Sequence, residues 1–217
     1  MAASDPAEFW EERYRSSRDE SGQVWSGRVN AAVEHEVAAL TPGTALELGC
    51  GEGGDALWLA AHGWSVTAID ISTTALAVGA AEAERKGLAD RIAWVHADLS
   101  TWRPTSSFDL VASAFLHSPV ELPREEVLRR AASAVAPGGR LLVVGHGAPP
   151  PGAKLSHEQH GGPPLPTPDE VLASLELADG WTTETSALVD RSAVWRDGSD
   201  ITLVDAVLRI RRSDVSA

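Results

Sequence analysis

Among its 217 residues the chain has one cysteine (Cys50), one tyrosine (Tyr14) and two lysines (Lys86 and Lys154). A single thiol excludes an internal disulfide and a multi-thiolate metal site. Long hydrophobic runs are missing too. The longest strongly apolar stretch, Leu141 to Val144, falls far short of the roughly 20 residues a bilayer span takes. The opening residues, Met1 to Asp5, carry neither the basic cluster nor the apolar core of a secretory signal, so the expectation is a cytoplasmic protein with a reduced thiol. Basic charge is scarce: 18 Lys plus Arg stand against 31 Asp plus Glu, for a net charge of -13. No basic block exceeds the pairs Arg129-Arg130 and Arg211-Arg212. So acidic a chain repels phosphate backbones, which predicts neither nucleic acid nor an anionic membrane as partner. No internal repeat is visible. What is present, 43% hydrophobic and 23% charged residues, has the proportions of a soluble globular domain.

The middle of the chain alternates short apolar runs with helical patterns, the signature of a parallel sheet with crossover helices. Strands are expected at Thr44 to Leu48, Ser65 to Asp70, Ile92 to His96, Phe108 to Ser113 and Arg140 to Gly145. Between them lie a helix from Asp55 to His62, an alanine-rich helix capped by Ser72 and stopped by Gly87, and a helix opened by Pro123 and ended by Pro137-Gly138-Gly139. Seven of the 13 prolines then fall between Pro149 and Pro168, which rules out a regular element there. A loop of that length inside a compact domain is usually functional or disordered. A last helix from Asp169 to Leu177 precedes two strands, Trp181 to Val189 and Ile201 to Ile210, around a turn at Asp197-Gly198-Ser199. The fold class is therefore α/β, a doubly wound, mostly parallel sheet closed by a C-terminal antiparallel hairpin. One domain is expected to span 1–217, with an N-terminal helical lid over 1–40 and an active-site loop over 146–168.

Chemistry concentrates at Gly49-Cys50-Gly51-Glu52-Gly53-Gly54, which follows a strand and opens a helix. Glycines there let the backbone turn tightly and come close to a ligand at the helix N-terminus. Asp70 ends the next strand, where an acid reaches ribose hydroxyls. An adenosine-containing cofactor fits this layout. Glu47, two residues before Gly49 and inside the strand, is a buried-carboxylate candidate that calls for a cation or a hydrogen-bonding group nearby.

These residues resemble those of the class I S-adenosylmethionine-dependent methyltransferases, whose fold is Rossmann-like. The likeness runs through Glu47-Leu48-Gly49-Cys50-Gly51-Glu52-Gly53, Asp70, Ala97-Asp98-Leu99, Phe108-Asp109-Leu110-Val111 and Val135-Ala136-Pro137-Gly138-Gly139. Phe9 to Tyr14 and Val24 to Arg28 look like the front of the thiopurine and tellurite-resistance type of small-molecule methyltransferase. The resemblance implies S-adenosyl-L-methionine as cofactor. Gly49, Cys50 and Gly51 would lie against its methionine part, Asp70 and Ile71 at its ribose, Asp98 and Leu99 at its adenine, and Ala114 and Phe115 beside the sulfonium. Arg28 is either the clamp for the cofactor carboxylate or an ordinary surface arginine. Trp10, Tyr14 and Trp25 form either a lid or packing.

Methyl transfer from a sulfonium is an in-line displacement. It needs a general base only when the acceptor holds a proton of high pKa. Candidate catalytic residues are His117 and His146, each following a strand at the carboxyl edge, where such sheets place their sites. The bland alternative for both is a neutral histidine bonded to a loop carbonyl. His157 and His160 read as solvated, His35, His62 and His96 as structural, Asp55 as a helix-start residue, and no metal site is expected. The leading function is methylation of a small molecule, with a sulfur, selenium, tellurium or nitrogen acceptor. The alternatives are a nicotinamide-dependent oxidoreductase or a non-catalytic cofactor binder. The oxidoreductase is weakened because Tyr14 has Arg18 where a Tyr-x-x-x-Lys pair needs lysine.

Overall fold

The computed structural model describes residues 5–16, 24–149, 165–194 and 198–214. The elements are α1 (Pro6–Ser16), α2 (Ala31–Val37), β1 (Thr44–Leu48), α3 (Gly54–Ala61), β2 (Ser65–Asp70), α4 (Thr73–Arg85), β3 (Ile92–His96), β4 (Phe108–Ala114), α5 (Arg124–Ser133), β5 (Val135–His146), α6 (Pro168–Ser174), β6 (Trp181–Val194) and β7 (Asp200–Arg212). Seven strands form one sheet in the order β3-β2-β1-β4-β5-β7-β6. The first five run parallel, and β7 inserts antiparallel between β5 and β6.

The two-residue period of the strands sorts the core into two layers. Ala45, Leu110, Ala112, Leu142 and Val144 face one side, where α2, α3 and α4 cover them with Val33, Val37, Leu57, Leu59 and Leu76. Leu46, Leu48, Val111, Leu141 and Val143 face the other, under Val127, Leu128 and Ala131 of α5 and Val171 of α6. Leu46, Leu110, Leu141 and Leu142 are fully buried. Each is worth about 1.5–3 kcal/mol relative to leaving it exposed. Both faces are covered, which is why these strands read as continuous apolar runs rather than alternations.

The helix caps follow local chemistry. Asn30 starts α2 by accepting from the Ala32 and Val33 N–H, and Ser72 starts α4 by accepting from Ala75 N–H. Thr167 and Glu170 form a capping box at the start of α6, and the helix ends at Ser174 rather than Leu177, with Glu176 at φ +50° just beyond it. The main departure from expectation lies after α5. The helix stops at Ser133, and Val135 already pairs with Phe108 in β5. Pro137-Gly138-Gly139 sits inside the strand as an irregularity, between the pairs Phe108↔Val135 and Leu110↔Arg140. A Cβ on Gly139 would stand 2.9 Å from the Asp109 carbonyl oxygen, so the chain crosses there only as glycine. The terminal strands also run further than their apolar cores suggest, because thirteen register pairs join them. Most of the proline-rich loop (residues 150–164, with Lys154, His157 and His160), residues 17–23 and Asp197 of the hairpin turn lie outside the described residues.

Strand order reverses between β1 and β4. Ligands in open α/β sheets bind at that reversal, outside the carboxyl ends of the strands.

Candidate active site

The chain leaves β1 through Gly49, Gly51 and Gly53, all at positive φ (+68°, +54° and +78°). That region costs an L-residue about 1–2 kcal/mol, so the turn is specific to glycine. Gly49 and Cys50 N–H both bond the Ile69 carbonyl, pinning the loop to β2. Asp70, at the end of β2, accepts from Gly51 N–H through one carboxylate oxygen (2.8 Å) and from Ser72 N–H through the other (2.9 Å). The predicted ribose acid and the predicted glycine loop are thus joined directly. Burial raises the Asp70 pKa above its ordinary value, and those N–H groups act against the rise. Ile71 follows, with its carbonyl accepting from His96 Nε2 at 3.0 Å.

Glu47 is buried at the foot of the same loop. It takes a hydrogen bond from Ala56 N–H, yet its Oε2 has no partner. Of the two partners expected, a cation or a hydrogen-bonding group, the described residues supply the second, Ala56 N–H, and no cation. Its charged neighbours are Asp55 and Asp70, and with burial they push its pKa well above the carboxylate range. Cys50 is buried, with Sγ 3.7 Å from the Gly51 carbonyl oxygen and a thiol pKa raised by the same surroundings. Asp55 does more than start α3. It accepts from Asn30 N–H at 2.7 Å and so fixes the N-terminal segment where α2 begins.

That segment lies over the loop. Trp25 Nε1 donates to the Tyr14 hydroxyl at 3.0 Å, and that hydroxyl sits 2.8 Å from where a Gly51 Cβ would be. Glu52 accepts from the Val24 and Trp25 N–H groups, each at 3.0 Å. Glu11 accepts from the Ser72 hydroxyl, Thr73 hydroxyl and Thr74 N–H at the start of α4. Those bonds hold its carboxyl down at a pKa of about 2, against the burial that acts to raise it. Trp10 donates to the Ser118 hydroxyl beyond β4 (3.3 Å). One helix therefore touches both sides of the crevice. Glu11 and Glu52 lie inside motifs noted in the sequence, but their role as latches could not be seen before the contacts were known. Arg28 is exposed and its guanidinium makes no hydrogen bond or ion pair among the described residues.

Asp98 and Leu99 follow β3 as expected. The Asp98 carboxylate accepts from Ser100 N–H (2.8 Å) and the Ser100 hydroxyl (2.7 Å), which shapes its own turn, and Leu99 is buried. Across the crevice, Ala114 ends β4 and Phe115 takes φ +52°, turning the chain so that the Leu116 side chain lies against Gly49. His117 and His146 come together, with rings 5.4 Å apart and stacked, and Phe115 lies 4.5 Å from His146. Burial, with Arg124 and His146 nearby, lowers the His117 pKa to about 4, and its Nε2 is buried without a partner. The His146 pKa is lowered too, mainly by burial. Behind them Arg191 grips the buried Asp205 with two bonds, 2.6 and 3.1 Å, across β6 and β7. Arg124, Arg191 and Asp205 carried no signal in the sequence, since each acts through a neighbour far along the chain. Among the described residues no group of three metal-ligating side chains converges, and no helix is long and apolar enough to cross a membrane.

The fit to S-adenosylmethionine rests on this geometry. Gly49, Gly51, Gly53 and Gly54 have no space for a Cβ, a carboxylate stands fixed at the end of β2 against Gly51 N–H, and a buried glutamate oxygen is left unpaired beneath. Comparison with known proteins agrees. A family profile described as methyltransferase domain matches residues 45–139. Thiocyanate methyltransferase 1 of Arabidopsis thaliana is 36% identical over 87 residues, 39% of this chain and 38% of that protein. The chain spans less than half the length of the curated relatives it matches, 38% of this one and 16% of another. A solved structure described as "Conversion of a Disulfide Bond into a Thioacetal Group during Echinomycin Biosynthesis" is 26% identical, covers 97% of this chain and 94% of its own, and superposes with a TM-score of 0.70. The N-methyltransferase NodS of Bradyrhizobium japonicum, solved with S-adenosyl-L-homocysteine, shares the fold at 19% identity and a TM-score of 0.63, over 96% of this chain and 99% of its own. Domain match, sheet order and glycine loop agree: residues 45–139 are similar to a methyltransferase domain, and the chain shares the fold of the N-methyltransferase NodS.

Proposed function

We propose that this protein methylates a small molecule whose acceptor atom is a soft nucleophile, a thiolate foremost. The observation that carries the methyltransferase reading is the Asp70 carboxylate bonded to Gly51 N–H at the reversal of the sheet. When bound, S-adenosylmethionine supplies an electrophilic methyl on a positively charged sulfur. Gly49, Cys50 and Gly51 line its methionine part, Asp70 and Ile71 its ribose, and Asp98 and Leu99 its adenine. The exposed Arg28 guanidinium is available to the cofactor carboxylate, which it can grip with two parallel bonds. Tyr14 and Trp25, joined over Gly51, exclude water from above, while Ala114, Phe115 and Leu116 wall the crevice on the β4 side. Of the expected 1–40 lid, Pro6–Ser16 and residues 24–28 lie over the glycine loop and serve as lid, whereas α2 packs into the core; His146, Pro166 and Pro168 border the acceptor side.

Two observations favour a soft acceptor. His117, with a pKa of about 4, is neutral at physiological pH but a weak proton acceptor, which suits a nucleophile that arrives already ionised. Sulfur also recurs among the similar proteins: one is named for thiocyanate, and the structural neighbour concerns conversion of a disulfide to a thioacetal. That supports the sulfur end of the thiopurine and tellurite type. In this role His117 and His146 shape and desolvate the acceptor pocket rather than move a proton.

The test is calorimetric titration with S-adenosylhomocysteine, with NAD in parallel, on the wild type and Asp70→Ala. Micromolar binding of the first ligand alone, weakened about tenfold or more in the variant, is expected for a charge-assisted bond to ribose. Binding of NAD instead, or of neither, overturns the reading.

A further inference from the structure

Past the carboxyl ends of β4 and β5, a small cavity opens among His117, Arg124, Gly145, His146, Pro166 and Val171. We infer that this cavity receives a carboxylate of the methyl acceptor, with Arg124 as its anchor, so that the substrate class is an anionic thiol rather than a neutral one. The inference rests on the methyltransferase reading and adds the charge of the acceptor to it.

Arg124 spends one donor inside the protein, with Nε bonding the Leu116 carbonyl at 3.0 Å. Its two terminal nitrogens have no hydrogen bond or ion pair among the described residues, although the side chain is half-buried. A guanidinium withdrawn from water costs several kcal/mol unless an anion compensates, on the order of the penalties found for buried ions. No acid inside the pocket does so. Glu125, its chain neighbour, is exposed and acts against the burial only from outside the pocket, and the buried acid Asp205 is held by Nε and a terminal nitrogen of Arg191. Arg124 is moreover the first residue of α5, where the helix dipole disfavours a cation. The rest of the wall does not offset the charge. His117 Nε2 is buried and unpaired, and it lies 3.1 Å from the place a Gly145 Cβ would take. Burial thus leaves a planar, two-pronged donor and a spare imidazole nitrogen facing one space, in a chain whose net charge is -13. Guanidinium forks match carboxylates in shape and charge. Arg124 bonds the Leu116 carbonyl and the Leu116 side chain lies against Gly49, so a short acceptor anchored at Arg124 sits one side chain away from the glycine loop.

The experiment uses 4-mercaptobenzoate and thiophenol as matched acceptors, with S-adenosylhomocysteine formation as the rate and benzoate binding to the S-adenosylhomocysteine complex as a measurement independent of turnover. The wild type is expected to bind benzoate and to prefer the carboxylate thiol in kcat/KM, mainly through KM. Arg124→Gln is expected to reduce that preference about ten- to a hundredfold, the worth of a charge-assisted pair, and Arg124→Lys to restore part of it. Retained S-adenosylhomocysteine affinity and melting temperature in both variants separate recognition from a collapsed loop at Leu116. No benzoate binding at millimolar concentration, or equal loss of both acceptors in Arg124→Gln, overturns the inference even where methyl transfer persists. Failure to bind S-adenosylhomocysteine overturns the methyltransferase reading instead. Benzoate binding without thiol turnover upholds the anion site and removes sulfur as the acceptor atom.

Discussion

Asp55 offers a direct test of how the buried acids beneath the glycine loop set stability. Its carboxyl is buried and bonded to Asn30 N–H, and burial lifts its pKa from 3.8 to about 6. The folded state therefore holds a proton that the unfolded chain releases at lower pH. Folding is unpenalised below pH 3.8, is progressively penalised up to about 6, and carries the full penalty above that. A rise of two units or so is worth about 3 kcal/mol, of which about 2 kcal/mol develops between roughly pH 4.5 and 7.5. Asp55→Asn keeps an acceptor oxygen for Asn30 and has no proton to lose. The variant should thus gain on the wild type by about 2 kcal/mol as the pH rises across that range. Removing the Asp55 charge also relieves Glu47, which acts in the same direction. Urea denaturation followed by the fluorescence of the eight tryptophans, at half-unit pH steps, measures the difference. A difference between the two proteins that stays flat with pH, within about 0.5 kcal/mol, would refute the account of a buried, proton-retaining acid.

Two further outcomes follow from contacts around the site. Gly51→Ala combines φ +54° with a Cβ 2.8 Å from the Tyr14 hydroxyl, so the strain should cost about 1–2 kcal/mol and lower the melting temperature by roughly 3–8 °C while weakening S-adenosylhomocysteine; an unchanged melting curve would mean that the loop is not held as described. Arg191→Ala strands Asp205, which is 1% exposed, and should destabilise by about 3 kcal/mol or more in urea, with partial recovery when Asp205→Asn is added; no recovery would show that Arg191 contributes packing rather than charge.

The sequence by itself determined the sheet and the glycine loop at its reversal. Both are written in local, periodic chemistry: apolar runs for strands covered on two faces, glycines where φ must be positive, and an acid at the end of β2. Gly49, Gly51 and Asp70 could be read singly and then joined, because their roles depend on backbone geometry fixed within a few residues. The sequence was misleading at Pro137-Gly138-Gly139, where breaker residues suggested a helix end but the strand had already begun; pairing with β4 outweighed the local signal. Tertiary structure alone decided the electrostatics. Glu47 called for a cation or a hydrogen-bonding group on desolvation grounds; it meets the Ala56 N–H and otherwise shares its burial with Asp55 and Asp70, which favours its protonated form. Whether Arg124 meets an acid, and whether His117 sits near pKa 4 or 6.5, depends on groups brought together from β4, α5, β5 and β7. Such contacts between residues distant in the chain leave no periodic trace. Coulomb interactions and desolvation act through space, and only the folded chain fixes the distances.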